Sequence, residues 1–249
     1  MHQDLPGKGE MVGCLFWMVQ KVKILIACEE SQEVCKAFRA KGHEAYSCDV
    51  QECSGGHPEW HILGDALEAL HGGQVTTMDG QTHEIGKWDM LIAHPPCTYL
   101  TNGSTVRLLR KEEKLYPGYG LFQMVNIDRL KKGIVSRDFF MAFLNADVER
   151  IAIENPVPMA LWMLPKYTQI IQPYEYGHPY SKKTCLWLKG LEPLRPTEII
   201  KDGVTPWVNG GCKDAHGNYR RVQGRRERDP KNRSKTFPGI ARAMADQWG

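Results

Sequence analysis

The sequence contains no apolar run approaching the roughly 20 residues that a helix needs to cross a bilayer. It has no CxxC pair among its 8 cysteines, which argues against a paired-thiol redox motif or a cysteine-rich zinc knuckle. Eight cysteines in 249 residues are also too sparse for a disulfide framework. The leading segment, MHQDLPGKGEMVGCLFWMVQ, lacks the basic leader and the long apolar core of a signal peptide. Internal repeats and low-complexity tracts are absent. The expectation is a protein without a membrane span, with reduced thiols, in a cytoplasm. Residues 1–17 are expected to form an extension outside the fold, with Met18 just ahead of the first strand.

A further absence is more informative. VKILIAC (22–28) has the β-branched, apolar character of a buried parallel strand. A helical stretch follows, with Ser31 as a candidate cap, Val34 and Phe38 facing a sheet, and Gly42 at its stop. EAYSCDV (44–50) is a second strand, and it ends on Asp49. This is the layout of a nucleotide-binding βαβ unit. Its glycine-rich fingerprint is missing: the turn is CEESQ, and Glu29 and Glu30 would repel a pyrophosphate. A ligand with a ribose, no phosphate and a positive centre fits better, and S-adenosylmethionine is such a molecule.

Further strands are expected in HILGDALEAL, with Asp65 as helix cap or ligand contact, in WDMLIAH, in ERIAIEN, and in TQIIQPYEYG and KTCLWLKG. Helices are expected over 136–146 and in KTFPGIARAMADQW at the end of the chain. Residues 105–135 are polar and mixed, carry seven Lys or Arg from Arg107 to Lys132, and are expected to form a mobile loop. Alternating strands and helices predict an α/β fold with a doubly wound, mostly parallel, Rossmann-like sheet.

The net charge of +3 is unevenly spread. From Pro196 to Gly249 there are 11 Lys and Arg against 6 Asp and Glu. Arg220, Arg221, Arg225, Arg226, Arg228, Lys231 and Arg233 form its centre. A solvated surface loop and a phosphate-contacting segment both suit such a run. Cys212 and His216 lie four apart there, but two ligands do not make a zinc site, and no metal is expected.

Two strand ends carry reactive groups. One is Cys97, behind Pro95-Pro96. The other is Glu154-Asn155, before Pro156. Alone, a cysteine near prolines is usually structural. Together, a thiol and a carboxyl group form a nucleophile and acid pair able to attack an electron-poor carbon.

At this point ACEES, GHEAYSCDV, LGDAL, AHPPCTYLT, IENPVP, YGHPYSKKTCLWLKGLEPLRP and RSKTFPGIARAMADQWG, in this order, resemble the cytosine-5 DNA methyltransferases. The form is the compact one found in phages and prophages. The likeness runs from about Val22 to the end, apart from 105–135 and 198–232. It implies a catalytic S-adenosylmethionine-binding domain over 18–195 with an active-site loop at 105–135. A small target-recognition segment at 196–233 and a returning helix at 234–249 complete it.

The resemblance also implies site roles. Cys97 would be the nucleophile toward cytosine carbon 6, Glu154 would hold ring nitrogen 3, and Asn155 would support the loop. Lys182 and Thr184 fall where larger relatives have arginines. Asp49 would take ribose hydroxyls and Asp65 the adenine amino group. Cys28, Glu30, Ser31, His94, Pro95, Thr236 and Gly239 would line the cofactor pocket, with Gln32 where compact relatives usually have glycine. The basic residues would contact double-stranded DNA, the protein acting as a monomer in a bacterial cytoplasm. His94 before the prolines favours carbon over amine methylation. The chemistry calls for a raised carboxyl pKa at Glu154 and a lowered thiol pKa at Cys97. An RNA cytosine-5 methyltransferase and a catalytically weak nucleic-acid-binding homologue are the alternatives.

Overall fold

The structure is a computed structural model that describes residues 21–102, 105–111, 123–207, 210–213, 219–222 and 229–249. A seven-stranded sheet forms its centre. The strands are β1 (Lys23–Ala27), β2 (Glu44–Asp49), β3 (His61–Leu63), β4 (Met90–Ala93), β5 (Arg150–Pro156), β6 (Gln169–Ile171) and β7 (Thr184–Lys189). Their order is β6-β7-β5-β4-β1-β2-β3. The run β3-β2-β1-β4-β5 is parallel throughout and follows the doubly wound order. Only β7 is reversed: it pairs antiparallel with both β5 and β6.

Both faces of this sheet are buried, which explains the near-continuous apolar strands. On one face Ile24, Ile26, Met90, Ile92 and Ala152 join Val34 and Phe38 of α1 (Glu33–Ala40) and Ile240 and Met244 of α4 (Pro238–Trp248). On the other, Leu25, Leu91, Ile151 and Ile153 meet Phe140 and Phe143 of α3 (Ile127–Leu144). A short α2 (Ala66–Ala69) is capped by Asp65, whose Oδ1 accepts the Leu67 N–H at 2.9 Å. Among the described residues no helix is long and apolar enough to cross a membrane.

Three expectations are revised. α1 is not capped by Ser31: Gln32 holds the N-cap position in a left-handed conformation, φ 59°. Both carboxyl oxygens of Glu29 accept the backbone N–H groups of Val34 and Cys35, at 2.7 and 3.1 Å. Secondly, an antiparallel hairpin, Gly73–Thr76 with Thr82–Gly86, lies between α2 and β4. Its polar, glycine-bounded strands gave no alternating signal, although Val75 and Ile85 are buried. Thirdly, the long helix begins at Ile127, so residues 127–135 are not a loop. Asn126 caps it by accepting the Arg129 N–H at 3.1 Å. Ile127, Ile134 and Val135 are exposed while Phe140 and Phe143 are buried, so the apolar residues do not mark one face. Ahead of it, Leu109–Lys111 pairs antiparallel with Gln123–Val125.

Candidate active site

The site follows from strand register. Ala27 pairs with Cys48 on one side and Ala93 on the other, and Ala93 pairs with Ile153. The next residues, Asp49, Cys28, His94 and Glu154, therefore leave the sheet at one level on its carboxyl edge. The order turns from β1 to β4 here, the switch point where open α/β sheets bind ligands.

On the β4–β5 side, Asn155 fixes the proline ledge. Its buried Nδ2 donates to the Pro95 carbonyl at 2.9 Å. Beyond the ledge the Cys97 carbonyl accepts the N–H groups of Leu100 and Thr101, both at 3.1 Å, which closes a tight turn. That turn is stitched to the loop after β5, because Asn102 N–H donates to Val157 and Met159 N–H to Leu100. The segments bearing the thiol and the carboxylate thus hold each other. Gly133 of α3 locks the second loop: a Cβ there would lie 2.0 Å from the Trp162 ring.

Glu154 is largely buried with two hydrogen-bond partners. His94 Nδ1 lies 3.0 Å from its Oε2, and the Thr236 hydroxyl donates to the same oxygen at 3.2 Å. The side chains of His94 and Glu154 are 12% and 11% exposed. Burial pushes the Glu154 carboxyl up, but the His94 bond, the Lys182 charge and the Thr236 hydroxyl together outweigh it and bring the pKa down to about 2. Burial pushes His94 down, and its bond to Glu154 with the charges of Glu154 and Glu29 raises it overall. Cys97 is raised by burial, against the pull of Lys182 and Arg233. Both sequence expectations are inverted here: the carboxyl is lowered and the thiol raised, because the His94 imidazole contacts the carboxyl group while burial outweighs the cations that act on the sulfur.

Lys182 donates from Nζ to the Arg233 carbonyl at 3.2 Å, which ties the C-terminal segment to the site. Thr184 is buried and donates its hydroxyl to the Lys182 carbonyl, so it shapes that turn. Next to the Cys97 turn, Tyr99, Arg107, Asn126, Asp128, Arg129 and Lys132 line a cavity of about 260 Å³. Arg129 reaches from α3 to the Thr98 carbonyl at 2.9 Å and lies 4.9 Å from the Tyr99 ring centre.

The β1–β2–β3 side is acidic. Asp49 Oδ1 accepts the Gln51 N–H, and Gly64 N–H donates to the Asp49 carbonyl, which brings the ends of β2 and β3 together. Burial and then the charges of Asp49 and Asp65 raise the thiols of Cys28 and Cys48, the latter to about 12. Glu30 accepts from the Ser54 hydroxyl. Ser31 is buried beneath Gly55, where a Cβ would lie 2.6 Å from the Ser31 carbonyl oxygen. Gln32 keeps the left-handed turn that glycine would give. Its amide bridges Ser47 Oγ and both backbone groups of His57, which offsets a conformational cost of about 1–2 kcal/mol.

This side fits S-adenosylmethionine in donor chemistry. The N-terminus of α1, the usual phosphate site of such a unit, is occupied by the protein's own Glu29 carboxyl group. What remains at this edge are the carboxyl groups of Asp49 and Asp65, a donor set suited to hydroxyls, an amine and a cationic centre.

Four residues assigned to the cofactor have partners within the protein. His94 and Thr236 turn their side chains to Glu154. Gly239 is buried, donates its N–H to His178 Nε2 at 2.9 Å, and sits so close to the Tyr176 carbonyl that a Cβ would lie 1.9 Å away. It is a close-packing position. The Pro95 carbonyl is taken by Asn155. Arg225, Arg226, Arg228 and the 1–17 extension lie outside the described residues, as do the side chains of Arg220, Arg221 and Lys231. Arg220 and Arg221 belong to a strand, Tyr219–Val222, paired with Gly210–Lys213, and Arg233 is exposed. Sequence reasoning missed Glu29 as a cap and the cavity beside Tyr99. An acid four residues ahead of a helix start was a signal for the first; the second depends on α3 starting at Ile127.

No protein-family model matches the chain, and no curated protein matches its sequence.

Proposed function

We propose that the protein is an S-adenosylmethionine-dependent DNA cytosine-5 methyltransferase. The observation that carries this reading is the stitched pair of strand-end loops, which sets Cys97 and Glu154 on one edge of the sheet beside the acidic β1–β2–β3 ends, where Glu29 fills the usual phosphate position. Asp49, Asp65 and the Cys28–Ser31 turn would hold S-adenosylmethionine, which supplies an electrophilic methyl group when bound.

The remaining work falls to the chain. Cytosine carbon 5 is a poor nucleophile. Cys97 first loses its proton to water; the thiolate then adds to carbon 6, and a proton placed on ring nitrogen 3 from the Glu154 side draws the electrons of that addition. Carbon 5 then has enamine character and takes the methyl group. Loss of the carbon 5 proton, departure of the sulfur and return of the nitrogen 3 proton to the Glu154 side restore the ring. Asn155 keeps the Pro95 ledge fixed during these steps, which need a near-attack geometry. The base must leave its stack to reach the edge. Arg107, Arg129, Lys132 and Arg233, near the Cys97 turn and Lys182, suit the phosphates of a flipped strand.

The test is expression in cells without cytosine methylation, followed by mass spectrometry of digested DNA. We expect 5-methylcytosine. Folded protein with unmodified DNA would refute the reading, and 5-methylcytosine in RNA alone would move the substrate to RNA.

A further inference from the structure

His94 is an unusual residue to find against the carboxylate that must serve the ring nitrogen. Its backbone is fixed as a continuation of β4, with its N–H on the Ala27 carbonyl at 2.9 Å. Its imidazole contacts Glu154 from β5, and the charges of Glu29, from the turn before α1, and Lys182, from the turn before β7, act on it. Nδ1 faces Glu154 Oε2 at 3.0 Å; Nε2 is buried with no partner among the described residues. Asn155 Oδ1, one residue beyond Glu154, is likewise buried without a partner. Two acids against one lysine favour a cationic ring between them.

We infer that His94 is a positioning residue that stores the proton delivered to ring nitrogen 3 through Glu154, an inference that rests on the methyltransferase reading above. The resting pair is imidazolium and carboxylate. As the Cys97 sulfur bonds to carbon 6, the carbon 5–carbon 6 π electrons shift through carbon 4 to nitrogen 3. Nitrogen 3 takes a proton from Glu154, and Glu154 takes the Nδ1 proton of His94. The products are a neutral imidazole, a carboxylate and a neutral N–H, so the negative charge brought by the thiolate is cancelled by the imidazolium. Glu154 needs no elevated proton affinity of its own in the free protein, which reconciles its ionised state with an acid's task.

The experiment measures covalent trapping on 5-fluorocytosine DNA, in single turnover with S-adenosylmethionine, across pH for the full chain and for His94→Asn. Asparagine keeps a donor at the Nδ1 position but carries no exchangeable charge. The wild type should lose rate as pH rises through the His94 titration. His94→Asn should be slower by about 100-fold at neutral pH, and that alkaline fall should be gone. An Asn variant with the wild-type pH profile would overturn the inference while leaving the methyltransferase reading intact. A wild type that forms no adduct would instead refute the methyltransferase reading. Should the variant not fold, a ¹³C-histidine NMR titration of the wild type decides: a ring charged at pH 7 supports proton storage, and a neutral ring refutes it.

Discussion

Two largely buried carboxyl groups, Glu29 and Glu154, act on His94 at the same sheet edge and behave oppositely. Glu29 belongs to the acidic half, with Glu30, Asp49 and Asp65. Burial raises it, and neither the His94 charge nor two backbone N–H bonds reverses that. Glu154 belongs to the half that holds Cys97, Lys182 and Arg233, and a contacting imidazole brings it down to about 2. Equal burial gives opposite outcomes because a charged donor in contact outweighs desolvation, whereas neutral backbone donors do not. The edge is thus divided at its switch point. One half gathers carboxyl groups, and the other gathers the thiol and the cations, the contrast on which the proposed function draws.

The largest expected effect breaks the basic half. Cys97→Ala removes the only sulfur on the proline ledge. Methyl transfer to DNA, followed by mass spectrometry, should fall by at least about a thousandfold. Residual activity near wild type would show that the thiol is not the nucleophile. The acidic half is probed by Asp49→Asn, which keeps the bond to Gln51 but removes the charge. Losing a charged acceptor costs about 1.5–3 kcal/mol, so the Kd for S-adenosylmethionine by calorimetry should rise about 10- to 150-fold. DNA affinity should not move; a parallel loss of both would mean that the two halves are one site.

Much of this division was legible in the sequence, because it depends on strand ends. VKILIAC, WDMLIAH and ERIAIEN each end on the residues that line the edge, and parallel pairing brings them level. What was not legible depends on three-dimensional partners. That His94 faces Glu154 follows from a register between β4 and β5 that no local pattern encodes. The inverted proton affinities follow from that contact. Gly239 illustrates the same limit: the sequence expectation put it beside the cofactor pocket, and nothing local signals that its N–H bonds His178 and that it packs against the Tyr176 carbonyl. The start of α3 was hidden because its exposed Ile127, Ile134 and Val135 blur the helical stripe.

That helix supplies a milder test of the basic half. Arg129→Ala should weaken DNA binding several-fold at moderate salt. It should also reduce the slope of log affinity against log salt by about 0.7–0.9, the share of one phosphate contact. An unchanged slope would confine Arg129 to holding the Thr98 carbonyl and the Tyr99 ring.

The smallest effect concerns stability and sharpens the contrast between the two acids. The folded-state pKa of His94 is raised, so its charge contributes stability that is complete below the ordinary histidine value near 6.5. That contribution is lost as pH rises through the folded value. Glu154 is depressed to about 2 from 4.5, so its contribution is complete above 4.5 and lost as pH falls toward 2. The pair is therefore strongest between these limits. Urea unfolding of the wild type and of His94→Asn should differ by about 1 kcal/mol near pH 5.5, the margin of a charge-assisted over a neutral hydrogen bond. The difference should shrink as pH rises through the raised folded-state value of His94, where the imidazole loses its charge. A gap of constant size across that range would mean that His94 contributes packing rather than charge, and that Lys182 and Thr236 hold Glu154 down without it.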